Sequence, residues 1–252
     1  MNKPLGYIAY EGPSALDGQP IVVIVTGLGK STNRKTGSMV QTFILRQDVH
    51  PLEALRSGAD ESICGQCEHR PALVRAGNGK APCYVDVGKA PAAVWRAYHR
   101  SRYVKAAPWV IARAIAGRVL RIGTYGDPAA APVAMWQSMV VYVAGWTGYT
   151  HQWRTLGADP QCRDWQLLVM ASADSTQDRA DAKLAGWRTF RVSIGVERQD
   201  GEITCPASRE AGARVTCIDC KLCRGAQIAA RDIVIADHAL GHKRRVIQLA
   251  AA

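Results

Sequence analysis

Two groups of cysteines carry the clearest chemistry in this 252-residue chain. The C-terminal group is Cys205 followed by Cys217-Ile-Asp-Cys220-Lys-Leu-Cys223, four thiols within nineteen residues. Two-residue gaps let a tight turn aim several sulfurs at one ion while backbone N–H groups stabilise the thiolates, so the spacing points to a metal. Four sulfurs suit zinc or an iron–sulfur cluster, and His238 or His242 could replace one of them. The N-terminal group is Cys64-Gly-Gln-Cys67-Glu-His69 with Cys83 further on. With His69 the three thiols would close a zinc site, and alone they would hold a cubane cluster with one iron left open. Cys162 stands apart from both groups and reads as a packing residue.

Two aspartates are placed where carboxylates do chemistry. Asp127 lies in Thr124-Tyr125-Gly126-Asp127-Pro128, directly after an apolar strand, and suits general-base work or a helix cap. Asp174, in Ser172-Ala173-Asp174-Ser175, has the same two readings, with nucleophile added to the first. The run Trp146-Thr-Gly-Tyr149-Thr-His151-Gln-Trp153 is dense in aromatics, whose faces stack on bases, and His151 could donate to a leaving group. Tyr125 adds a further aromatic contact at a strand end. The bland reading of the same run is alternate packing into a core.

Lys and Arg number 32 against 21 acidic residues, a formal charge of +11 that favours an anionic partner, nucleic acid first and DNA ahead of RNA. Trp95-Arg96-Ala-Tyr98-His99-Arg100-Ser-Arg102-Tyr103 would set Arg96 and Arg100 on one helical face and Trp95, His99 and Arg102 on another. That mixture fits phosphate binding or a solvated amphipathic helix. Lys243-Arg244-Arg245 adds a basic patch of low specificity. Gly29-Lys30-Ser31 is not a phosphate loop of the standard kind, because Ile24 stands where the motif needs its first glycine.

These residues need a scaffold. With 48% hydrophobic and 21% charged residues the chain can bury a core. Strands are expected at Ile21–Val25 and Val40–Leu45, joined by an exposed Gly/Ser/Thr/Lys loop. A long polar insertion carrying the first cysteines follows. Beyond it, strand, polar loop and helix alternate: a helix opened by Pro91, another after Pro108, a strand at Val119–Gly123, a helix over Ala129–Val143 and a short strand over Trp146–His151. Then come a strand at Gln166–Ala171, a helix over Thr176–Ala185 and strands at Thr189–Ile194 and Ile233–Ala236. This order implies an α/β fold with a barrel-like or half-barrel parallel sheet, helical crossovers and functional loops at the C-terminal strand ends. The expected organisation is a β element over 1–50, a catalytic core over 51–204 and a metal-binding segment over 205–252. The longest apolar run is too short to span a bilayer and no secretory pattern opens the chain, so a cytoplasmic protein with reduced thiols and no membrane partner is expected.

The C-terminal cysteines with His238 or His242 resemble the zinc site of guanine and 7-deazaguanine transglycosylases. That resemblance is one of motif over about 90 residues. It implies zinc, a barrel and base exchange on nucleic acid with a small-molecule base as cosubstrate. Asp174 would be the nucleophile, Asp127 the proton shuttle, and Trp146, Tyr149 and His151 the holders of an extruded base. Arg96, Arg100 and Arg102 would neutralise phosphates. More distantly, a strand, a three-cysteine loop, a helix and a strand ending in Gly126-Asp127-Pro128 is similar to radical S-adenosylmethionine barrels, although the cysteine spacing differs. That would imply an iron–sulfur cluster on Cys64, Cys67 and Cys83, with S-adenosylmethionine as cosubstrate. The remaining expectation is a zinc-stabilised nucleic-acid-binding protein without catalysis.

Overall fold

Ile21, Val22, Val23, Ile24 and Val25 are completely buried, so the strand they form is covered on both faces and sits inside a sheet. The computed structural model describes residues 4–29, 36–79, 83–194, 197–213 and 215–237. His238, His242, the Lys243-Arg244-Arg245 patch, Lys30 and Ser31 lie outside the described residues.

The chain opens with antiparallel strands β1 (Tyr7–Pro13), β2 (Pro20–Thr26) and β3 (Val40–Arg46). After β3 the insertion forms three short helices, α1 (Pro51–Ser57), α2 (Glu61–Cys64) and α3 (Pro71–Arg75). Next come α4 (Ala90–His99), a short β4 (Val104–Lys105) and α5 (Pro108–Ala114). Strand β5 (Val119–Tyr125) then runs parallel to β3. Helix α6 (Val133–Val140) leads to β6 (Gly145–Thr147), and β7 (Tyr149–Thr150) starts one residue later. Helices α7 (Trp153–Leu156) and α8 (Cys162–Leu168) precede β8 (Met170–Ala173). The chain continues with α9 (Thr176–Leu184), β9 (Thr189–Ser193), β10 (Glu202–Thr204), α10 (Cys217–Cys220) and β11 (Asp232–Ala236).

The strands form a mixed six-stranded sheet, β4-β1-β2-β3-β5-β6, and an all-parallel five-stranded sheet, β10-β11-β9-β8-β7. Only Gly148 separates β6 from β7, so one stretch of chain serves an edge of each sheet. No closed barrel forms among the described residues. The first three strands belong to the same sheet as β5, and β11, from the C-terminal segment, lies between β9 and β10.

Four elements depart from expectation. The strand over Trp146–His151 divides into β6 and β7 in different sheets. Helix α4 ends at His99, with Ser101 at φ +51°, so Arg102 lies beyond it and shares no helical face with Trp95 and His99. Gln166–Leu168 continues α8, and the strand begins at Met170. A short apolar run does not by itself distinguish strand from buried helix, and Trp165 and Leu168 face the core from a helix here. The helix expected over Ala129–Val143 is split into a 3-10 turn at Pro128–Ala130 and α6, with Pro132 at its start.

The main core joins β1–β3 and β5 to the helices, with Trp136 and Trp187 almost wholly buried. A second core gathers Met170, Ile233 and Ile235 with Cys205 and Cys223. Arg188 fastens the cysteine segment to β9 by donating to the carbonyls of Leu222, Gly225, Ala230 and Arg231 at 2.6–3.1 Å. No helix among the described residues is long and apolar enough to cross a membrane.

Candidate functional site

Parallel strands release their loops at one end, and here three loops converge there. His69 lies between α2 and α3, His151 follows β7, and Asp174 follows β8. His69 Nε2 is 3.1 Å from Asp174 Oδ1, and His151 Nε2 is 3.2 Å from Asp174 Oδ2. The Asp174 side chain is 7% exposed, against 20% and 25% for the two histidines. The imidazole rings meet edge to face with centroids 5.5 Å apart.

Local structure holds each participant. Ser175, not Asp174, caps α9, accepting the Asp178 N–H at 3.0 Å, while the Asp174 N–H donates to Asp178 Oδ2 at 3.2 Å. That leaves the Asp174 carboxylate turned to the histidines. Asp127 accepts from Ala129 N, the Thr150 hydroxyl and His151 N at 3.0, 2.8 and 2.7 Å. It therefore caps the 3-10 turn and pins the exit of β7. Gln152 ties that exit to the cysteine loop, donating to Cys64 O at 2.9 Å and accepting from Gln66 N at 3.2 Å. Gly65 permits this approach: its φ is +53°, and a Cβ there would stand 2.5 Å from Gln152 Oε1. Buried Arg70 braces the loop from below, donating to the carbonyls of Gly65 and Gly58 and pairing with Asp60.

Burial disfavours the charged form of Asp174, but His151 and His69 outweigh it and hold the carboxyl well below its usual range. For His151, burial is likewise opposed by Cys67, which hydrogen-bonds the ring, and by Asp174, so its pKa rises well above normal. Burial raises Asp127, against the hydrogen bonds it accepts. The Cys64 thiol is pushed well up by burial and by neighbouring Cys67, Asp60, Cys83 and Asp127.

His151 and Asp174 line a cleft of about 500 Å³ together with Gln66, Glu68, Trp153 and Asp178. This volume is ordinary for a small-molecule site. Arg154 lies on its wall over the Trp153 ring at 3.9 Å and pairs with Asp178 at 2.6 Å.

The C-terminal cysteines meet elsewhere. Cys205, Cys217, Cys220 and Cys223 line one cavity of about 40 Å³, with Tyr149 and Phe190 stacked on its wall at 4.4 Å. Burial and the other three thiols push Cys223 up to about 12. Among the described residues, His69, His151 and Asp174 are the only set of three or more potential ligands whose donor atoms all lie within 4.8 Å of one another. Neither cysteine group reaches that spacing.

The structure thus brings together Asp174, His151 and His69, with Cys67 against His151, and separates them from other residues singled out in the sequence. Trp146 is in the core, its indole N–H donating to Leu168 O at 2.7 Å. Tyr149 belongs to the cysteine cavity and Tyr125 is buried near Cys64. Trp95 and His99 fix α4 to the end of β3 through Arg46 O and Gln47 O, while Arg96, Arg100 and Arg102 are exposed. The pairing of His69 with His151 and Asp174 was not legible, since the three lie on separate segments and His69 read as a companion of the nearby cysteines. No family model, curated protein or solved structure matches the chain, so the reading of this site rests on its own geometry.

Proposed function

We propose that the protein is a nucleic-acid base-modifying enzyme whose reaction centre is the cleft around His69, His151 and Asp174. The observation that carries this reading is the buried Asp174 carboxyl held between two imidazoles at the end of parallel strands, on the wall of a cleft of about 500 Å³. Parallel α/β sheets place their chemistry at that end. The +11 charge and the exposed Arg96, Arg100 and Arg102 favour a polyanionic substrate. Gln66 and Asn78, also on the cleft wall, are side chains of the type that reads base edges. An enzyme acting on a base must take it out of the stack, and the cleft is the place to receive it.

In this reading the two sheets make a half-barrel joined at Gly148. Cys205, Cys217, Cys220 and Cys223 hold a structural zinc ion. The four thiols line one small cavity anchored by Arg188 without standing within ligand distance of one another, so an ion bound there would draw them together. Asp127 acts by holding the His151 backbone.

A second reading is guanine exchange with Asp174 as the group that attacks the sugar carbon, favoured by its place at a strand end on the cleft wall. Both readings are tested by incubating the full chain with DNA and with RNA, with and without 7-deazaguanine bases, and analysing released and incorporated bases by mass spectrometry. The expected result is a changed base composition with wild type and none with Asp174→Asn. Unchanged composition under every condition with a chain that binds nucleic acid would favour a binding protein and overturn the enzymatic reading.

A further inference from the structure

We infer that His69, His151 and Asp174 form a site for one divalent transition-metal ion of the zinc or ferrous class, with its free coordination positions open to the cleft. The inference deepens the reading of the cleft as a reaction centre, although binding of the ion is tested without it.

The geometry departs from that of an ordinary ion-paired triad. In such a triad each imidazole N–H points along a carboxylate lone pair. Here the separations of 3.1 and 3.2 Å are within hydrogen-bond reach, yet His151 Nε2 and Asp174 Oδ1, both buried, make no well-aligned hydrogen bond. Buried polar atoms are rarely left so, because each costs about 1–3 kcal/mol. A shared ion would satisfy both of these buried atoms at once. Three donor atoms of ligand type, all within 4.8 Å of one another, are close enough to share one ion.

The donor set limits the choice. Two imidazole nitrogens and one carboxylate oxygen suit zinc or ferrous iron, whereas magnesium and calcium take oxygen ligands. Three protein ligands leave positions for water or substrate, and His151 and Asp174 are both on the cleft wall. The surroundings are those of a supported ligand set. Asp127 fixes the His151 backbone, Asp178 and Ser175 fix the turn carrying Asp174, and the Cys83 N–H donates to His69 O at 3.0 Å. Asp174 then serves as a ligand, which sets this site against the guanine-exchange reading in which Asp174 attacks the sugar carbon.

The test uses the metal-free full chain titrated with cobalt(II), with bound equivalents counted by elemental analysis after dialysis. The expected result is one equivalent fewer in Asp174→Asn, His69→Gln and His151→Gln than in wild type. Any sulfur-to-cobalt charge-transfer band would be unchanged, which also reports that the variants stay folded. Equal equivalents in wild type and Asp174→Asn would overturn the inference. Proton NMR of the wild-type chain needs no variant: cobalt must shift the ring signals of two histidines strongly, and no shifted histidine signals would overturn it. A chain that binds the ion at these residues and alters no base refutes the proposed function alone. An Asp174-dependent base change by an ion-free chain refutes this inference alone.

Discussion

The histidine–aspartate centre and the cysteine cavity are built in opposite ways. The first takes one residue from each of three loops spread over more than a hundred positions and faces a cleft of about 500 Å³. The second takes four thiols from nineteen residues and lines a cavity of about 40 Å³. The first therefore depends on the fold for its existence, while the second helps to make the fold, since its segment carries the chain to β11 in the middle of a parallel sheet. In the proposed account the large cleft of dispersed origin carries the chemistry and the small cavity of local origin carries the support.

The largest expected effect separates these roles. Asp174→Asn lowers base-modifying activity by more than the about 100-fold that loss of a ligand's supporting partner costs, while the melting temperature changes little. Cys223→Ser does the reverse: the melting temperature falls by roughly 10 °C, the shift that a loss of about 3 kcal/mol gives a chain of this length, and activity per folded molecule is kept. Calorimetry and base analysis on the same preparations check both, and matched losses in both variants would erase the distinction.

Gly65→Ala probes the join between the cysteine loop and the centre. Its positive φ and the clash with Gln152 lead to a destabilisation of about 1–3 kcal/mol by urea unfolding, together with weaker activity as His69 moves from His151. A variant of unchanged stability and activity would show that this contact positions nothing.

The cysteine side of the molecule has its own acid sensitivity. Glu202 is fully buried, and although burial raises its pKa, hydrogen bonds from Arg191 and Gln199 N with the charge of Arg179 hold it below the ordinary value of 4.5. A carboxyl depressed in the folded state contributes stability above its unfolded pKa and loses it as pH falls through the folded one. Unfolding free energy should therefore decline as pH falls below about 4.5, and Glu202→Gln should flatten that decline while lowering stability at pH 7. Parallel pH profiles for the two proteins would contradict this.

The smallest effect concerns the surface. Replacing Arg96, Arg100 and Arg102 with Ala should leave stability unchanged and reduce the salt slope of DNA binding by about 2 to 3, near 0.9 for each phosphate contact. An unchanged slope would place the polyanion elsewhere on the molecule.

Much of the scaffold was legible because apolar runs and turn residues act locally. Val119–Gly123, Thr189–Ile194 and the helix from Thr176 appear close to their expected positions. Gln166–Leu168 was misread because three apolar and polar residues beside a strand look alike in either state. Strand β1 escaped notice because its short apolar run Tyr7–Tyr10 gives way at once to Glu11, Gly12 and Pro13. The convergence of the four C-terminal cysteines on one cavity follows their spacing, since short gaps constrain geometry directly. Asp174 was legible as a strand-end carboxylate, whereas its partners were not. Trp146 and Tyr149 share a run with His151, yet strand alternation and the shift from β6 to β7 send the three to different places.

The most direct test of the two-site account is zinc anomalous scattering from crystals of the full chain grown or soaked with the ion. The account predicts two peaks, one among His69, His151 and Asp174 and one inside the cavity of Cys205, Cys217, Cys220 and Cys223. A peak at the cysteines alone, with His69 and His151 hydrogen-bonded directly to Asp174 and no ion between them, would contradict it.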